Sequence, residues 1–278
     1  ICLAFLIGAI LAISGAVMQG LFRNPLAAPS LIGVSSGASV GASIVIVLTG
    51  AWLQTNAVLG LSVVALGAFI GSFLITLLVF RLSTSTLGTS VTTMLLAGIA
   101  ISALGGAVNS LLSYFADNEM LRQISIWQMG NLSTANWTRV SIVAVVAVVV
   151  LILFPRESKS LNALLLGESE ARHLGIDVQR VKKKLILLTT LGIGTAVAVA
   201  GMIGFVGLIV PHIVRLLIGP DHRWLLPVSA LAGGILLLIA DTLARVIIAP
   251  VELPTGILTA ILGAPFFIML LIQQRREF

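Results

Sequence analysis

The sequence predicts an all-α membrane protein, a polytopic bundle of helices, on three observations. Only 9% of its 278 residues are charged, against roughly a quarter in a soluble domain, while 58% are hydrophobic. The charges gather in short stretches between long uncharged runs, which leaves little chain for a core outside the membrane. Those runs recur near the length of about 20 residues that a helix needs to cross about 30 Å of hydrocarbon. The formal charge of +6 is explained by topology rather than by nucleic acid, and the single cysteine, Cys2, excludes an internal disulfide and a cysteine-rich metal site.

Nine spans follow, at about 1–22, 31–50, 57–80, 94–113, 138–155, 185–201, 203–219, 225–248 and 256–272. The first holds no charge and stops at Arg23, in RNPLAAP (Arg23 to Pro29), a loop more apolar than a plain turn requires. The second and fourth repeat small residues three or four apart, in GVSSGASVGAS (Gly33 to Ser43) and AGIAISALGGAVNS (Ala97 to Ser110). Small faces let helices approach closely in lipid, where burying apolar surface gives no drive. Ser102, Asn109, Ser110 and Ser113 have a second reading as the lining of a path, because polar groups in a bilayer are best satisfied against water or one another. Gly201 and Gly204 are the only punctuation between the sixth and seventh spans, so one long bent helix is the alternative there. The eighth carries Asp241 and Arg245, four apart on one helix face and able to neutralise each other. His212 in VPHIVR reads as packing beside Pro211 rather than as a proton carrier or ligand.

The basic residues test this map. If the loop after the first span is cytoplasmic, thirteen of the 16 lie inside, and Arg122, Arg139 and Arg245 lie outside. Merging the sixth and seventh spans would move Arg275 and Arg276 outside, so the rule favours nine spans, residue 1 outside and Phe278 inside. Arg245 reaches the outer surface, where a retained positive group points to a negatively charged partner. No Met and no basic n-region precede the first apolar run, so the native chain is expected to begin earlier.

The longest polar interval, 156–184, is cytoplasmic on this map. LNALLLGESEARHLGIDVQRVKKK opens with an apolar run too short to span, then sets Glu168, Glu170, Arg172 and His173 on a short helix ending near Gly175. An interfacial connector, its lysines following anionic lipid, is one reading. Docking to a soluble protein is the other, and it explains the acidic tip and the basic flank together. No GxxxxGK[ST], HExxH, CxxC or GxSxG occurs, so nothing supports an enzyme, and no cofactor or metal is called for.

ISGAVMQGLFRNPLAAPSLIGVSSGAS, MLLAGIAIS, LLLGESEARHLGI, GFVGLIVPHIVRLLIGPDHRWLLPVSAL, ADTLAR and ELPTGILTAILGAPFF occur here in the order seen in a known family. The chain resembles the FecCD/BtuC-like permeases of type II ATP-binding-cassette importers for iron chelates (siderophores), haem or vitamin B12. The resemblance runs from residue 1 to about 272 and implies one permease domain over 1–278, with 156–184 as its cytoplasmic coupling loop. It implies ten helices in the family, of which this chain matches the second onward. It further implies a multi-pass protein of the bacterial inner membrane and a second permease copy in a homodimer or pseudo-dimer. Two cytoplasmic ATPase subunits and an extracytoplasmic substrate-binding protein complete the expected complex.

Carried over residue by residue, Asn24 and Leu26 are gate residues, and Val91 and Thr92 form a second gate just before the next helix but two. Gly167, Glu168, Glu170, Ala171, His173, Leu174 and Gly175 contact the ATPase, and Arg245 meets an acidic residue of the binding protein. The expected mechanism is alternating access driven by ATP, with haem or another iron chelate as cargo because that branch is broadest, and vitamin B12 as the alternative. A proton-driven transporter would need mid-membrane ionisable residues, for which only the paired Asp241 is available, and a passive channel leaves the acidic coupling segment unexplained.

Overall fold

A helix that is apolar on every face needs surroundings that exclude water, either lipid or other helices. Helix α1 (Cys2–Phe22) meets that condition: every residue from Ile7 to Phe22 is buried. The computed structural model describes residues 1–55, 57–86 and 88–274. Around α1 stand α6 (Trp137–Arg156), α9 (Val178–Ala200), α10 (Val206–Ile218) and α11 (His222–Val246). The contact with α11 is backbone against backbone, since a Cβ on Gly8 would run into the Gly233 carbonyl; Gly15 meets the Gly207 carbonyl of α10 in the same way. A second seam joins α2 (Val34–Thr55) to α3 (Ala57–Leu82), with Gly37 against Gly71 and Gly41 against Gly67. Helix α9 ties the two units, touching α1, α2, α3 and α6.

Helix α4 (Val91–Phe115) leans on α2, on α3 and on a 3-10 turn at Pro29–Ile32, where Gly98 abuts the Leu31 carbonyl. Its remaining faces are open and carry large apolar side chains, among them Leu96, Ile99 and Leu104. Helix α12 (Thr255–Gln274) packs on α10 and α11. Several helices open at a side chain suited to hold a free N–H. Ser90 accepts from Thr93 N at 3.3 Å, Asp117 from Met120 N at 2.8 Å and Asn136 from Arg139 N at 2.9 Å.

Among the described residues six helices are long and apolar enough to cross a membrane, and three shorter apolar ones, Val34–Gly50, Val206–Ile218 and Thr255–Met269, lie at the second, seventh and ninth expected positions. The sixth and seventh positions are separate helices, so the single bent helix does not form. Gly201, at φ 72°, ends α9, and residues 201–205 are not helical. Two features were not expected. The interval 114–137 contains α5 (Asn118–Met129), and a hairpin of β1 (Thr84–Ser85) and β2 (Gly88–Thr89) precedes α4. The interval 156–184 folds as α7 (Ser158–Leu166), α8 (Glu168–His173) and the first turns of α9. Arg275, Arg276 and Phe278 lie outside the described residues.

The glycine seams give a direct test. Gly8→Leu drives a side chain into the Gly233 carbonyl and is expected to cost more than the about 1–3 kcal/mol typical of overpacking. Gly106→Ala, where nothing lies within 4 Å, leaves stability unchanged or slightly higher. Thermal melting of the detergent-purified variants separates the two.

Candidate translocation pathway and coupling face

Positions 102, 106, 109 and 113 recur at helical spacing, so they share one face of α4. That face looks across a groove of about 670 Å³ at Ser35, Ser36 and Ser39 of α2. All four residues expected to line a path, Ser102, Asn109, Ser110 and Ser113, are on its wall. Asn109 donates from Nδ2 to Ser39 Oγ at 2.9 Å, while its buried Oδ1 has no partner among the described residues. Ser110 returns its hydroxyl to the Gly106 carbonyl at 3.0 Å.

A second, more apolar cavity of about 560 Å³ shares Ser30, Ser35, Gln128 and Met202 with the groove, so the two are continuous. Among the described residues, no charged side chain lines either one. The break between α9 and α10 belongs to this wall through Met202, Ile203, Gly204 and Phe205. Gly201 stands ~24 Å along the helix axis from Leu185, at about 1.5 Å per residue. Unpaired backbone at that depth is tolerated where it lines a cavity rather than lipid.

At the end of the bundle that carries most basic residues, α1 stops because Arg23 takes a left-handed conformation, φ 50°. Asn24 then closes a local turn, its Oδ1 accepting from Leu26 N at 2.9 Å. Asn24 is exposed and Leu26 half-buried, and neither lines the cavity; the next residues, Ala28, Pro29 and Ser30, do. Val91 and Thr92, expected just before α4, form its first turn behind the Ser90 cap. The cap draws the helix start forward by about one turn, and neither residue lines the groove.

The expected short helix is present as α8. Gly167, at φ 126°, breaks the chain from α7, and Gly175, at φ 82°, ends α8 with Gly175 N on Arg172 O at 2.9 Å and Ile176 N on Ala171 O at 3.1 Å. Ala171 is buried and anchors the helix, leaving Glu170, His173 and Leu174 exposed. Glu168 is engaged internally: Oε1 accepts from Lys182 Nζ at 2.6 Å, and Arg172 lies 3.8 Å from Oε2. Lys182 also donates to Thr89 O at 2.7 Å, and Thr89 N donates to Gln179 Oε1 at 2.9 Å.

The lysines of VKKK therefore do three different things. Lys182 is buried, Lys183 is exposed, and Lys184 pairs with Glu157 at 2.5 Å. Sequence reasoning treated them as one basic run and missed Lys182. The available signal was helical geometry, since consecutive residues point about 100° apart and cannot share a solvent face.

At the opposite end, Arg245 pairs with Asp241 as expected, Nε to Oδ2 at 3.1 Å, and Thr255 Oγ1 supports Asp241 Oδ1 at 3.2 Å. A second acid, Glu252, accepts from Arg245 Nη1 at 3.3 Å, and the arginine side chain is 39% exposed between the two carboxylates. Arg139 caps the end of α9 through the Val199 carbonyl at 3.4 Å and also bonds Thr134. His212 is buried in α10 next to Pro211, as its sequence context indicated.

Thiol chemistry tests the groove. With exposed Cys2 replaced by Ser, Ser102→Cys and Ser113→Cys are expected to react with a membrane-impermeant thiol reagent. Ser72→Cys, buried against Gly194, is expected not to react.

Residues 1–273 match the family model described as the FecCD transport family. A hemin transport system permease protein of Yersinia pestis is 47% identical over 277 residues, covering 100% of this chain and 82% of that protein. A cobalamin import system permease protein of Halobacterium salinarum is 47% identical over 278 residues, covering 98% and 70%. Among solved structures, an inward-facing transporter assigned to the metal-chelate type of ABC transporter superposes with a TM-score of 0.88 at 35% identity, over 98% of this chain and 84% of its own.

Proposed function

From the premise that this chain belongs to the FecCD transport family and is a multi-pass permease of an ABC importer, we propose that it carries haem or another iron chelate into the cytoplasm by alternating access. The observation that carries the cargo reading is the uncharged, hydroxyl-bearing groove joined to a large apolar cavity. Such a wall suits a bulky, mostly apolar cargo held weakly enough to leave. The equal identity to a cobalamin permease supports vitamin B12 as the second reading.

In this reading nine helices cross the membrane, and the chain works as one of two permease copies. Two ATPase subunits bind from the cytoplasm and a soluble binding protein delivers cargo outside. The chain itself performs no covalent chemistry. Each nucleotide state of the ATPase favours one permease conformation by binding it better, which is all that coupling requires. The exposed side chains of α8, Glu170, His173 and Leu174, are the ATPase contact, with Gly167 and Gly175 setting the angle of the helix and Ala171 seating it. Asn24, Leu26, Val91 and Thr92 act as gates by the movement of their elements, the loop after α1 and the first turn of α4. Arg245 docks the binding protein by exchanging Glu252 for an acid of the partner.

The cargo is tested in proteoliposomes holding the permease with its cognate ATPase and binding protein. Haem uptake that requires ATP, without uptake of cobalamin, is the expected outcome. Cobalamin uptake alone moves the assignment to the second reading, and uptake driven by a proton gradient without ATP overturns both. Arg245→Glu is expected to weaken capture of the loaded binding protein, with a larger deficit at low salt than at high salt. An unchanged affinity removes Arg245 from the docking site.

A further inference from the structure

Lys182 is the most deeply buried charged side chain among the described residues, at 1% exposure. Burying an ammonium is costly unless it is paired and hydrogen-bonded, so its partners report what the position is for. They come from two other elements. Glu168, at 2.6 Å, opens α8, and the Thr89 carbonyl, at 2.7 Å, ends β2. Thr89 is held a second time by Gln179, one turn before Lys182 on α9. One residue later, Ser90 bonds the Ser83 carbonyl at 2.9 Å and caps α4, whose inner face is the wall of the groove.

We propose that Lys182 is a coupling strut, a positioning residue that joins α8 through Thr89 to the first turn of α4 and so transmits displacement of α8 to the groove wall. This rests on the reading of α8 as the ATPase-docking helix. Both bonds are short and charge-assisted, and separating either one leaves a buried ammonium half-satisfied. The three elements therefore move together. From the loop after α1, the Arg23 guanidinium would stand 3.8 Å from a Cβ on Gly167, at van der Waals range.

The geometry also dictates which variant to use. Removing Glu168 strands the buried ammonium, whereas removing Lys182 leaves Glu168 30% exposed with Arg172 3.8 Å away. Lys182→Met is the milder change. In proteoliposomes with cognate ATPase and binding protein, Lys182→Met is expected to retain the ATPase while cargo moved per ATP falls about tenfold or more, within the range of ordinary coupling energies. In a Cys2→Ser, Thr92→Cys background, nucleotide-dependent thiol labelling is expected to disappear with it. Lys182→Arg is expected to recover part of both.

Parental cargo per ATP with the labelling switch intact overturns the proposal. Equal defects in Lys182→Met and Lys182→Arg, matched by equal losses of thermal stability, also overturn it by making the residue structural only. If Lys182→Met is not recovered folded, Glu168→Gln reads the same ratio, and a parental value there is equally fatal. Glu170→Lys, run alongside, is expected to lose the ATPase itself. ATPase retained at parental affinity in Glu170→Lys defeats the docking reading of α8, an outcome separate from any result at Lys182.

Discussion

Backbone meeting backbone at glycine is the contact on which the rest of this bundle depends. In lipid, neighbouring helices gain nothing from hiding apolar surface, so close approach and dispersion must hold them. Gly8 against Gly233 and Gly15 against Gly207 fix α1 as the central post, and Gly37 with Gly71 and Gly41 with Gly67 make α2 and α3 one unit. Neither seam has room to slide, because each lacks the side chains that a sliding interface repacks. Change of shape falls to what is held less closely, and α4, open on most of its surface, is such an element.

The polar groups follow the same division. Within the packed bundle some hydroxyls return to their own helix, as Thr190 does to the Ile186 carbonyl at 2.8 Å and Ser72 to the Phe69 carbonyl at 2.7 Å, while the Ser14 and Ser229 hydroxyls are buried without a partner among the described residues. Toward the groove Asn109 of α4 meets Ser39 of α2, and Ser110 returns its hydroxyl to the Gly106 carbonyl. A wall of hydroxyls, an amide and bare backbone offers weak, undirected contacts, and among the described residues no charged side chain lines it. Charge is kept to the two ends. At one, Asp241, Arg245 and Glu252 form a cluster; at the other, Glu168, Lys182, Arg172, Glu157 and Lys184 bind the loops into the helices.

Much of this was legible in the sequence because the bilayer imposes a length and a charge rule. Each of the nine apolar runs coincides with a helix, and Gly201 marked a true break. The helical spacing of Ser102, Asn109 and Ser113 announced a shared face, and GESEARHLG announced α8. Helix α5 escaped notice because it is neither long nor apolar, and only its Asp117 cap marks it. The hairpin of Thr84–Ser85 with Gly88–Thr89 has strands of two residues each, too short for any alternation to show. Glu252 and Lys182 were illegible for a different reason. Their meaning lies in partners 7 and 14 residues or more away, and no local pattern encodes a tertiary neighbour.

The lysine run at the start of α9 also limits how that helix can turn about its own axis. A roll of about 100° would exchange Lys182 for a neighbour, placing Val181 or Lys183 in a pocket shaped by Glu168 and Thr89 and stranding the displaced charge. Lys184 on Glu157 fixes the same angle from another side. Two bearings on one shaft leave it free to tilt or shift along its length and forbid it to spin.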